Sequence, residues 1–150
     1  MKLTSPNFEN LAAIPAKYSC QGAGVSPALV ISNVPSDAKS LALLIDDPDA
    51  PSGNFNHWVM WNIPVDTKTI PENVGHDFAV QGNNGAGKQG FTAPCPPTGI
   101  HRYFFKLYAL SEMLDLPITA TKADLEKAMA GKSIDEIQLM GTYKKTAQTN

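Results

Sequence analysis

The chain reads as mostly β, a β-sandwich or barrel with a small helical addition. Strand-favouring runs are frequent and short, with turn signals between them. Twelve prolines and 11 glycines among 150 residues put proline at roughly 8%, against an average of about 5%, and that much punctuation excludes a long-helix bundle. Only one segment carries both a helical start and a helical stop. At this length a chain buries about two-thirds of its unfolded surface, so one domain over residues 1–150 is expected.

The elements follow in order. Ala28-Leu29-Val30-Ile31 is a β-favouring run closed by the turn signal Asn33-Val34-Pro35-Ser36-Asp37. Ser40 to Asp46 is the next strand, stopped by Pro48. His57 to Ile63 follows, with Val59, Trp61 and Ile63 on one side and Trp58 and Met60 on the other. Both sides are apolar, which predicts a central strand between two layers. Tyr103 to Leu110 has the same two-sided character, and Ile137 to Tyr143 is a weaker last strand. The helix starts at Thr121, whose capping-box partner is Asp124; Leu125, Ala128 and Met129 share a face, and Gly131 suits the stop.

Charged residues make up 17% and the formal net charge is -2, which leaves no broad basic face for nucleic acid. The first residues lack the apolar core of a signal peptide. The longest aliphatic run, Leu41 to Ile45, is far short of the roughly 20 residues that span a bilayer. A soluble, cytoplasmic protein without integral membrane contact is the expectation. Two cysteines, Cys20 and Cys95, are too few for a disulfide scaffold and lack metal-motif spacing. Two free thiols is the expected state.

Polar chemistry concentrates in Asp46-Asp47-Pro48-Asp49-Ala50-Pro51. Carboxylates repel one another, and the two prolines stiffen the loop that holds them. The segment reads either as a solvated turn or as acceptors that orient a histidine or a metal. His57 and His101 open the two most apolar strands, and two imidazoles beside an acidic turn would present donors to an anion. Strand alternation puts His101, Tyr103 and Phe105 on one face and Arg102, the single arginine, on the other. Arg102 therefore reads as a pin to a carboxylate such as Asp46 or Asp49 rather than as a phosphate clamp. Gly82 to Gln89 has the glycine-lysine spacing of a P-loop. Gln89 replaces the magnesium-binding hydroxyl, however, and Gly90 and Pro94 oppose a helix. A flexible surface loop flanking a site is the better reading. Cys95 near His101 allows a minority reading as a nucleophile, and His76 stands alone.

Asp47-Pro48-Asp49-Ala50-Pro51, then His57-Trp58, then Pro96-Pro97 leading to His101-Arg102-Tyr103, resembles the phosphatidylethanolamine-binding protein family. The short loop before His57 is similar to its bacterial and archaeal branch, often called Raf kinase inhibitor-like proteins. Ser26-Pro27, Val34-Pro35, Pro94-Cys95-Pro96-Pro97 and Leu107-Tyr108-Ala109-Leu110 extend the resemblance from about Cys20 to Tyr143. It implies a Greek-key fold of two antiparallel sheets with a small pocket at one end for phosphate, acetate or a phospholipid head group. By motif, Asp47, Asp49, His57, Pro96, Pro97, His101 and Tyr103 would line it, with Arg102 as structural support. The resemblance also implies a homodimer as a common state, and brings the segments around Cys20 and Cys95 near one end of the fold. There are departures: the chain ends soon after Tyr143, where eukaryotic relatives add a helix over the pocket, and Ile31 stands where relatives often carry tryptophan.

The resulting expectation is a non-enzymatic binder of small anions or phosphorylated ligands, with no cofactor or metal. Asp47 and Asp49 orient His57 and His101, and neighbouring acids raise the histidine pKa. A protease or kinase inhibitor acting through exposed loops such as Gly82 to Gly90 is the second reading. A hydrolase using Cys95 or a metal is the third.

Overall fold

Two antiparallel sheets face each other in the computed structural model, which describes residues 1–146. The smaller sheet joins β1 (Lys2–Thr4), β2 (Leu29–Ser32) and β5 (Thr69–Ile70) in the order β1-β2-β5. The larger runs β6-β4-β3-β7-β8, from β3 (Ser40–Asp47), β4 (Phe55–Ile63), β6 (Val80–Gln81), β7 (His101–Leu110) and β8 (Ser133–Tyr143). The mostly β, two-sheet class expected from the sequence is the one observed.

The larger sheet is covered on both faces. Leu41, Leu43 and Ile45 of β3 point into the sandwich with Trp58 and Met60 of β4 and Phe105 of β7, against Leu29, Ile31 and Ile70 of the small sheet. Ala42 and Leu44 point the other way with Val59 and Trp61, and pack under Leu125 and Met129 of α1 (Lys122–Met129). Thr121 and Asp124 form the expected capping box, and Gly131 takes φ 77° just past the helix end.

One strand residue lies on the face opposite to the expected one. Ile63 joins the sandwich core with Trp58 and Met60, not the helix side with Trp61. Asn62 is the reason: its φ of 54° marks an irregularity where the register steps from Leu43↔Met60 to Leu41↔Ile63. An extra residue in one strand inverts the alternation beyond it. β7 is two-sided only toward its end, where Leu110 is buried in the helix-side cluster and Tyr108 packs against it. Tyr103, Phe105, Leu107 and Ala109 are buried, while Arg102 is exposed and Phe104, Lys106 and Tyr108 are half-buried. β8 is longer than expected, pairing with β7 from Ser133↔Leu110 to Tyr143↔His101. Its Asp135 and Glu136 disguise it, and an edge strand tolerates such charges.

Two further expectations are corrected. Cys20 and Cys95 are not free thiols: they form a disulfide with Cα atoms 5.4 Å apart, within bonding range. The Gly82 to Gly90 loop is pinned rather than loose. Buried Asn84 accepts from the amides of Ala86 (2.9 Å) and Lys88 (3.3 Å) and donates to the Gly90 carbonyl (2.8 Å). The Gly85 amide donates to the Asn56 carbonyl at 2.8 Å, and a Cβ there would come within 2.9 Å of that oxygen. No helix follows Lys88, so no P-loop cradle forms. Among the described residues no helix is long and apolar enough to cross a membrane.

Candidate functional site

The three carboxylates of the acidic turn take separate partners. β3 continues through Asp46 and Asp47, so alternation sends them to opposite faces of the sheet. Asp46 faces the helix side, where its Oδ2 accepts from Lys122 Nζ at 2.7 Å and Lys106 Nζ at 3.3 Å. Burial pulls the Asp46 pKa upward, but the hydrogen bond and charge of Lys122, with hydrogen bonds from Asn54 and Asn56, together lower the carboxyl below its usual value. Asp47 faces the opposite way, and its Oδ2 accepts from His101 Nδ1 at 2.7 Å with both side chains buried. Asp49 accepts from Arg102 three times at 2.9 Å, through Nε, an Nη and the backbone amide. This fork of bonds holds the Asp49 carboxyl down at about 2. Arg102 is thus the expected pin, and Asp49 is the acid it holds.

A cavity of about 250 Å³ opens where β3, β4 and β7 end. Asp47, His57, Pro96, Pro97, His101 and Tyr103 line it, as the sequence motifs suggested, and Asp49 does not. Asp49 points to Arg102 on the outer side of the turn and acts on the cavity only by holding the turn in place.

His57 is held differently from the expectation. Its Nδ1 lies 2.8 Å from the carbonyl oxygen of Thr92, which can only accept, so Nδ1 carries the proton. Among the described residues no carboxylate hydrogen-bonds the ring. Burial pushes the His57 pKa down, and the Thr92 carbonyl and the Asp47 charge offset this only in part. The expected rise in pKa is therefore reversed at His57, because desolvation outweighs its acid neighbours. A neutral ring in this tautomer presents Nε2 as an acceptor. The ring is wedged edge-on between Phe55 (centroids 4.8 Å) and Tyr103 (5.2 Å).

The Tyr103 hydroxyl is buried and has no hydrogen-bond partner among the described residues. Among the described residues two other buried side-chain atoms share that condition, Asn56 Oδ1 and Trp61 Nε1, but neither residue lines the cavity. An unpaired buried hydroxyl costs about 1–3 kcal/mol. Burial beside Asp47 also pushes the Tyr103 pKa above its usual value, so the group stays a neutral donor.

Sequence reasoning missed Phe55, Thr92 and the Cys20–Cys95 link. Phe55 was legible, since it lies two residues before His57 on the same strand face. Thr92 contributes a main-chain carbonyl, which no side-chain motif reports.

Residues 4–144 match the family model for phosphatidylethanolamine-binding protein. The chain belongs to this family. A UPF0098 protein of Methanothermobacter thermautotrophicus is 47% identical over 97% of this chain and 99% of that protein. A phosphatidylethanolamine-binding protein homologue from Chlamydia trachomatis has a solved structure with TM-score 0.93 and 45% identity, covering 96% of this chain and 97% of that one. Escherichia coli YbcL, described as a member of the mammalian PEBP family, gives TM-score 0.89 at 30% identity over 97% and 98% of the two chains. Family membership supports a ligand-binding or regulatory protein in general terms. The carboxylate partners described above make the motif intelligible. In this PEBP member Asp47 holds His101, Asp49 holds Arg102, and His57 is fixed from the loop that carries Pro96 and Pro97.

Proposed function

We propose that the cavity binds a small anion, inorganic phosphate or a phosphorylated group, and that the protein acts by binding rather than by catalysis. The observation that carries this reading is the Tyr103 hydroxyl, a buried donor without a partner in a cavity it shares with two aimed imidazoles. A ligand oxygen would satisfy it. His101, with Nδ1 committed to Asp47, has Nε2 for the ligand, and His57 likewise has Nε2. Asp47 also lines the cavity, but its Oδ2 accepts from His101 Nδ1, so that ring takes up part of its negative charge. Pro96 and Pro97 wall the site without adding amide donors.

The tautomer of His57 adds a requirement. A neutral Nε2 accepts, so the bound phosphate must keep a proton or His57 must take one up. A phosphate that keeps its own proton adds none to the complex, whereas proton uptake by His57, favoured by the anion's charge, adds one and makes phosphate affinity fall as pH rises. The three carboxylates diverge onto separate partners, and Cys95 is bonded to Cys20. That arrangement supports neither a metal held by the acidic turn nor a Cys95 nucleophile.

Titration calorimetry with inorganic phosphate tests the reading. Wild type should bind with heat that depends on buffer ionisation, reporting proton uptake, and His57→Ala should lose most of the affinity. Equal binding by the variant and wild type would overturn it.

A further inference from the structure

The cavity is built from two kinds of wall. Asp47, Phe55, His57, His101 and Tyr103 stand on β3, β4 and β7, held by the antiparallel ladder. The opposite wall, from Thr92 to Pro97, lies outside any strand. Its main-chain anchors are few. The Thr92 amide donates to the His57 carbonyl at 3.0 Å, and the Pro94 carbonyl accepts from the Cys20 amide at 3.0 Å. Pro94, Pro96 and Pro97 have no amide to donate. Cys95 itself lines the cavity and is covalently tied to Cys20, across 75 residues of chain. Both cysteines are exposed to solvent. Exposed disulfides are the ones open to thiol exchange.

We propose that the Cys20–Cys95 bond is a redox-sensitive site that regulates the anion pocket: oxidised, it holds the proline wall in place; reduced, it lets the wall move and weakens binding. This rests on the anion reading of the cavity. The reductant is a dithiol, small or protein-borne. One of its thiolates attacks a cysteine sulfur, breaks the Sγ–Sγ bond and forms a mixed disulfide. Its second thiol then displaces the remaining cysteine. Two electrons and two protons pass to Cys20 and Cys95, and the reductant leaves as its own disulfide. The same segment carries Thr92, whose carbonyl sets the His57 tautomer. A wall that moves therefore loosens both the cavity shape and the aim of His57, and the ligand must restore that order when it binds.

The experiment compares phosphate binding by oxidised protein and by protein reduced with dithiothreitol under inert gas. The expected result is a dissociation constant about five- to tenfold weaker in the reduced form, within the usual range of coupling between sites. By linkage, saturating phosphate should lower the disulfide midpoint potential by the same factor, about 30 mV for tenfold. Equal affinity in both redox states overturns the switch and leaves the anion pocket standing. No phosphate binding by the oxidised protein overturns both. Amide hydrogen exchange guards against simple unfolding: on reduction Thr92 should exchange faster while the β3 and β7 amides stay protected. Loss of protection throughout the sheet, in reduced wild type and in Cys20→Ser alike, would make the bond a structural staple and overturn the proposal.

Discussion

Asp46 and Asp47 are neighbours on one strand, and both are buried, yet they do different work. Asp46 meets two lysines whose stems reach in from half-exposed positions, so its charge is answered twice. Asp47 meets one buried imidazole, and that ring borders a cavity. Strand alternation alone separates them. A buried charge with two half-exposed lysine partners ties α1 to the sheet. A buried carboxylate steadied by the Asp49 amide on one oxygen and paired with one imidazole on the other fixes the direction in which that ring faces. The second arrangement is the one that leaves a ring nitrogen for a ligand.

The sharpest way to break this comparison is Asp47→Ala. It leaves His101 without its acceptor and should cost about 3 kcal/mol of unfolding free energy, as broken buried pairs do, and should abolish measurable phosphate binding. Denaturant unfolding and calorimetry read the two effects. Asp46→Ala should cost less, about 1–2 kcal/mol, because the freed lysines can turn to water. It should leave the phosphate dissociation constant within about twofold, and a larger change would undo the assignment of the two faces.

Tyr103→Phe sharpens the comparison from the ligand side. Removing a hydroxyl that has no partner should leave stability unchanged or slightly raised. The same change should weaken phosphate binding about tenfold, a cost of about 1.4 kcal/mol. Opposite signs in the two measurements would be hard to obtain from a purely structural tyrosine.

The pH dependence separates His57 from its neighbours. Its pKa is depressed in the folded chain, so the unfolded chain binds more protons at and below the ordinary imidazole value. Stability from this group is present at higher pH and is lost as pH falls through that window. Phosphate affinity should move the opposite way, weakening as pH rises by at most about tenfold per unit for one linked proton. His57→Ala should flatten both profiles. The smallest effect belongs to Arg102→Ala. Its half-exposed pair with Asp49 should contribute little, because water screens an exposed ion pair. Because Asp49 titrates down at about 2, that contribution is present above an ordinary aspartate pKa and fades as pH falls from about 4 toward 2. A thermal-melt series across that range would show whether the variant and wild type converge.

Much of the site was legible because its motifs are local. Asp47-Pro48-Asp49, His57-Trp58 and His101-Arg102-Tyr103 sit at strand ends, where the strand period and the prolines announce themselves. The role of Arg102 as a pin followed from alternation alone. Asp49 was placed in the lining because its motif neighbours are there, whereas the structure turns it outward to Arg102. The face of Ile63 was misread because a positive φ at Asn62 leaves no trace in a hydrophobic pattern.

By itself the sequence determined what depends on near neighbours in the chain: short alternating strands, a capped helix, stiff proline turns and the motifs of one family. Tertiary structure decided what depends on strands arriving side by side. It set which carboxylate answers which cation, and it brought the Thr92 carbonyl to His57. It also closed Cys20 onto Cys95 across 75 residues. Pairing and burial are properties of a three-dimensional neighbourhood. The reversed pKa of His57 shows why that matters, because desolvation there outweighs the acids that proximity in sequence led one to expect.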